Sequence, residues 1–221
     1  MAIYKVNNCY LYMKSNYLLI PAVVVLIISS CNLIARKLLG IKQPGIESTQ
    51  SITAFMQKNG LNSEYCYYID SIASYKFWKE NEEKRVTSLA IFNGSGQFLK
   101  RLGANECSGT LAKTLETIDL SNLKPVIITS DNLDNILQKF RRVDNTKTVV
   151  TDFKSDEFVV TIFWMKCFGS LSFKDDVVEW TKELKKNQFG SNIRILYLNT
   201  DMHESWGIKS KDDERRIVFD F

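Results

Sequence analysis

Residues 157–200, EFVVTIFWMKCFGSLSFKDDVVEWTKELKKNQFGSNIRILYLNT, constrain the fold of this chain more than any other stretch. Residues 158–164 are apolar except for Thr161. Such an unbroken run marks a strand buried on both faces, as in parallel sheets. Residues 173–186 place Val177, Val178, Trp180, Thr181 and Leu184 on one side and Lys182, Lys185 and Lys186 outside, which predicts an amphipathic helix. A second apolar run, 193–198, follows. Two strands joined by a helix of this length pair in parallel through a right-handed crossover. In such units the position for chemistry is the turn after the first strand, at the carboxyl edge of the sheet. Here that turn carries Cys167, Gly169 and Ser170.

The preceding chain supplies the remaining elements. Ser48-Thr49-Gln50-Ser51 offers capping chemistry before a helix that ends at Asn59-Gly60. An aromatic run over 64–70 predicts a central strand. Ile72, Tyr75 and Trp78 recur at three-residue spacing and predict a helix over 71–81. Residues 86–92 and 97–102 flank Asn93-Gly94-Ser95-Gly96 as a hairpin, and Leu111, Leu115 and Ile118 line a helix over 110–118. KPVIIT at 124–129 predicts a further strand. A helix beginning at Ser130 has Leu133, Ile136, Leu137 and Phe140 as its apolar face, with Arg141 and Arg142 at its carboxyl end, where cations suit the helix dipole. A charged loop and a short strand over 217–221 close the chain. The expected architecture is α/β, with helices on both faces of a mixed, mainly parallel sheet. At 221 residues and 45% hydrophobic, the chain can core one domain or two small ones.

The Phe163-Trp164 pair before the turn, Gly169 within it and the LYLNTD strand end resemble thioredoxin-like proteins of the membrane-anchored, thiol-reducing type. The order helix, strand, helix, hairpin, helix over 50–118 also resembles a thioredoxin fold after its first strand. The resemblance implies a three-layer α/β/α thioredoxin-like domain over residues 51–221. The hairpin and helix that normally follow the cysteine turn precede it here, so the domain is rearranged, or duplicated with halves at 51–120 and 121–221. The family presents Trp-Cys-x-x-Cys, and its two cysteine positions fall on Phe168 and Leu171. Cys167 stands one residue early, so the dithiol does not carry over. Two readings of Cys167 stay open. It is a small apolar side chain packed beneath the turn, or Cys167-Phe168-Gly169-Ser170 is a Cys-x-x-Ser monothiol site. In the second case Ser170 donates a hydrogen bond but cannot resolve a mixed disulfide, which requires another thiol.

The first thirty residues hold no Asp or Glu, and an apolar block at 18–28 follows Lys14, the pattern of a secretory signal. The block falls short of the roughly 20 apolar residues of a transmembrane helix. Ile28-Ser29-Ser30-Cys31 resembles the lipobox of bacterial lipoproteins, with Met13 a plausible true start. The resemblance implies that residues 1–30 are removed as a signal peptide and that Cys31 is lipidated, a site for palmitate. Residues 31–50 would then tether the domain, with Asn32 pointing to the outer membrane and the periplasm-facing leaflet.

The net charge of +4 comes with interleaved acids and no Lys/Arg run longer than two, which argues against nucleic acid as a partner. His203 is the single histidine, which excludes a multi-histidine metal site, and no cofactor motif is present. Cys66, Cys107 and Cys167 leave open one disulfide or three buried thiols. The function expected is that of a membrane-anchored envelope lipoprotein with a non-catalytic binding or assembly role beside an envelope protein partner. The alternative is a monothiol oxidoreductase or isomerase acting through Cys167.

Overall fold

The computed structural model describes residues 42, 44–82, 88–103, 108–126, 132–208 and 213. The predicted signal peptide, Cys31, Cys107 and the predicted strand at 217–221 lie outside the described residues. The chain order is β1 (Ile46–Glu47), α1 (Thr49–Lys58), β2 (Cys66–Ile69), α2 (Ile72–Glu82), β3 (Ser88–Asn93), β4 (Phe98–Leu102) and α3 (Ser108–Thr117). There follow α4 (Leu133–Leu137), β5 (Phe140–Arg142), β6 (Phe158–Trp164), α5 (Gly169–Phe173), α6 (Glu179–Lys186), β7 (Ile193–Asn199) and β8 (Met202–His203).

Six strands form one mixed sheet in the order β4-β3-β6-β7-β2-β5. Strand β6 pairs in parallel with β7, Phe158 opposite Ile193 through Trp164 opposite Asn199, as the crossover unit requires. The β2 strand extends the parallel block on the far side of β7. The hairpin β3–β4 lies antiparallel on the other side of β6, and β5 is antiparallel to β2. The expectation of a mainly parallel sheet is therefore corrected. Three of the five pairings are antiparallel, because both flanks are closed by strands that need no crossover. Strands from 51–120 and 121–221 share the one sheet: β3 pairs with β6, and β2 with β7.

The two-residue alternation of strands separates two cores. Val160, Ile162 and Trp164 of β6 pack on one face with α1, α3, α5 and α6 through Ile52, Leu111, Phe173 and Trp180. Val159 and Phe163 pack on the other with α2 and α4 through Trp78, Leu133 and Leu137. The sheet is thus sandwiched between helices, with Tyr67, Tyr68, Trp78, Trp164 and Trp180 in the core and Tyr65 and Trp206 partly buried at its margin.

Three local expectations change. The helix after Ser130 ends at Leu137, and Phe140–Arg142 is strand, not its last turn. The edge of β2 decides this: Ile69 and Tyr67 find backbone partners in Phe140 and Arg142, while Phe140 still reaches the core. Arg142 accordingly meets the Glu64 carbonyl at 3.0 Å and Asp144 at 3.3 Å rather than a helix end. Residues 124–126 form no strand, although Val126 N–H donates to the Phe98 carbonyl at 2.9 Å beside β4. Finally, Ile46–Glu47, assigned to the tether, pairs in parallel with Met202–His203.

The double-faced burial of β6 predicts its sensitivity. Ile162→Ala should cost about 3 kcal/mol through lost transfer energy and a cavity, whereas Leu171→Ala, at a site 53% exposed, should stay within about 0.5 kcal/mol. Urea denaturation of the two variants checks the contrast.

Candidate site at the carboxyl edge of the parallel strands

Strand β6 ends at Trp164, and the chain coils at once. Lys166–Phe168 makes a 3-10 turn, and α5, a π-helical turn over Lys174–Val178 and α6 continue it to Lys186. The helical run therefore begins seven residues before the predicted start at 173. Gly169 joins the 3-10 turn to α5 at φ +81°, a conformation that costs glycine little and other residues more. The predicted turn cysteine thus sits inside coiled backbone, two residues before that junction.

Cys167 is buried, only 7% exposed. Its thiol is pushed up to about 12, first by burial, then by the negative charge of Asp201, with Glu47 adding to it; a backbone hydrogen bond at Cys167 acts in the opposite sense. Ser170 lies three residues on, half-buried in α5. Nucleophilic thiols need the reverse surroundings, exposure and a nearby cation or helix-end amides. At neutral pH the thiol is therefore held in its protonated form. Cys66, in β2, is wholly buried and likewise pushed up by burial, and both thiols are free.

Around Cys167 the fold gathers polar groups from distant parts of the chain. Asp201, two residues after β7, is 1% exposed. Its Oδ2 accepts from the backbone N–H of Lys166 and from the Asn199 amide, each at 2.7 Å. Its Oδ1 accepts no hydrogen bond among the described residues. Burial pushes this carboxyl up to about 6 against the pull of the two donors. The Lys166 ammonium turns away to Glu47 at 2.5 Å and also bonds Ser51, whose hydroxyl donates to Glu47 at 2.5 Å. Glu47 belongs to β1, so this ion pair and the β1–β8 ladder strap the segment before α1 across the carboxyl edge.

His203 completes the strap. The Ser205 N–H, which can only donate, points at Nδ1 at 3.2 Å. That assigns the ring proton to Nε2, which donates to the Thr49 hydroxyl at 3.1 Å. The ring stacks on Tyr68 with centroids 3.9 Å apart, and burial lowers its pKa to about 4. His203 is therefore a neutral structural ring, held at both nitrogens.

This arrangement can hold a protonated thiol and a titratable carboxyl out of water. Among the described residues the turn presents no second thiol beside Cys167: Phe168 and Leu171 follow it, and the other described cysteine, Cys66, is buried in β2. Among the described residues no three His, Cys, Asp or Glu side chains converge as a metal site. No described helix is long and apolar enough to cross a membrane. Asp201, Glu47 and Lys166 were not singled out by their sequence context. The one local signal was an acid placed two residues after an apolar strand.

Comparison of the chain with protein-family models, with curated proteins and with solved structures finds no match.

The two buried titratable groups give opposite pH dependences. The raised pKa of Asp201 means that its stabilising contribution is complete below about pH 3.8 and is lost as pH rises through 6, about 3 kcal/mol in all. The lowered pKa of His203 makes stability fall as pH drops from 6.5 towards 4. Asp201→Asn should remove the first trend and leave the second, giving a variant that loses stability more steeply than wild type between pH 6.5 and 4.5. Urea midpoints across that range report the difference in slope.

Proposed function

We propose that the chain is a lipid-anchored envelope protein whose thioredoxin-like frame serves binding or assembly rather than dithiol exchange. The observation that carries the non-catalytic half is Cys167. It is buried beside a buried carboxyl, its thiol is held protonated, and residues without thiols stand at the family's cysteine positions. Support for the thioredoxin-like frame comes from the neighbours of β6. The parallel crossover to β7 lies on one side and an antiparallel hairpin followed by a helix on the other. The hairpin and helix that end a conventional thioredoxin fold here come before the cysteine turn in the chain. The anchor reading rests on the Ile28-Ser29-Ser30-Cys31 motif and the acid-free leader. Several acyl chains at Cys31 would hold the protein at a membrane far more firmly than one.

The rival reading is a monothiol oxidoreductase or isomerase using Cys167, with Ser170 as hydrogen-bond donor. One observation favours it, the titratable Asp201 carboxyl near the thiol, a potential proton acceptor.

Two measurements separate these readings. Cells expressing the chain should incorporate labelled palmitate into the wild type and not into Cys31→Ala; an unlabelled wild type ends the anchor reading. Rapid acid quenching and alkylation should recover no mixed disulfide at Cys167. A trapped adduct that disappears in Cys167→Ser would replace the binding role with the monothiol one.

A further inference from the structure

At the amino edge of the sheet, opposite Cys167, a cavity of about 310 Å³ opens between the start of β7, the end of α6 and the loop between α1 and β2. Its volume falls within the range of small-molecule sites. Two tight turns frame it. Gly60 reverses the chain after α1 at φ +82°. Gly190 brings the chain back so closely over the end of α6 that a Cβ there would lie 2.4 Å from the Lys185 carbonyl oxygen. Between these turns the floor is apolar, formed by Leu61, Leu184, Ile195 and Tyr197, which are nine-tenths or more buried.

The walls are charged, with opposite signs. Arg194 is fixed: it donates to the Tyr65 hydroxyl at 2.7 Å and to Glu157 at 2.8 Å, and its guanidinium lies 5.0 Å from the Tyr65 ring centroid. Its charge is therefore spent within the protein. Lys185 is different. Its neighbours Lys182 and Lys186 pair with Glu179 and Glu183, but Lys185 is exposed and carries no ion pair among the described residues. On the loop between α1 and β2 stands Glu64, exposed, its carboxylate accepting from the Asn62 amide at 3.5 Å and forming no ion pair among the described residues.

We propose that this cavity binds a small zwitterion with an apolar side chain, the chemistry of a free apolar amino acid. Lys185 takes the carboxylate, Glu64 takes the ammonium, and the side chain covers the apolar floor where Leu61 and Ile195 reach its surface. An acid alone or an amine alone would leave one wall charge facing apolar ligand surface, which disfavours both. Neither the anchor nor the state of Cys167 enters this inference, so it stands or falls independently of the proposed role.

Titration of the folded chain with L-phenylalanine, followed by backbone amide NMR, tests it. Saturable shifts are expected at Tyr65, Leu184 and Ile193. Phenylalaninamide and N-acetylphenylalanine, each lacking one charge, should bind about fivefold more weakly or worse, as expected for losing one exposed ion pair. Lys185→Met should weaken L-phenylalanine and leave phenylalaninamide unchanged; Glu64→Gln should weaken L-phenylalanine and leave N-acetylphenylalanine unchanged. Both variants alter exposed side chains, and circular dichroism confirms their folding. The absence of saturable shifts at these residues overturns the proposal, as does equal binding of all three ligands.

Discussion

Strand β6 has no solvent-facing side. Every residue from Val159 to Trp164 is buried, and alternate side chains enter the two cores on opposite faces of the sheet. A strand placed this way must have neighbours on both edges and helices above and below, since its backbone and its side chains can find no partner in water. The six-stranded order meets that demand with a helical crossover to β7 on one edge and, from a distant part of the chain, the β3–β4 hairpin on the other. The carboxyl end of β6 is then fixed, and with it the coiled turn that holds Cys167.

The same placement explains why the carboxyl edge is polar but closed. The ends of β6 and β7 bring the Lys166 backbone N–H to the Asp201 carboxylate. The Asp201 bond stops the turn from unwinding, and the Lys166 side chain draws Glu47 of β1 across the edge. The consequence for chemistry is direct. A buried thiol facing two acids is poorly ionised, whereas a reactive one needs positive surroundings. Positive charge from Lys166 is present but committed to Glu47 and Ser51. The carboxyl edge has become a structural clasp, while the amino edge keeps an open cavity with Lys185 and Glu64 on its walls.

The sequence made β6, β7 and the intervening helix legible because long apolar runs and a one-sided lysine pattern carry their own period. The β3–β4 hairpin was legible through Asn93-Gly94-Ser95-Gly96. What failed to show was whatever depends on a distant partner. Leu133, Ile136, Leu137 and Phe140 continue a helical spacing, yet Phe140 is strand because β2 offers an unpaired edge. A two-residue ladder such as Ile46–Glu47 on Met202–His203 has no local pattern to announce it. The ion pair of Glu47 with Lys166 joins groups 119 positions apart. For the same reason Cys167 could be placed at the turn from sequence, but its burial beside Asp201 could not.

The state of that thiol most directly decides between a structural Cys167 and a reactive one. Site-resolved mass spectrometry can follow iodoacetamide alkylation of Cys167 in the folded protein from pH 6 to 10, against the same residue in urea. A protected, protonated thiol should react at least about a hundredfold more slowly folded than unfolded at pH 8, with no plateau below pH 10. Alkylation of the folded protein as fast as the unfolded one, levelling off near neutral pH, would contradict a silent Cys167.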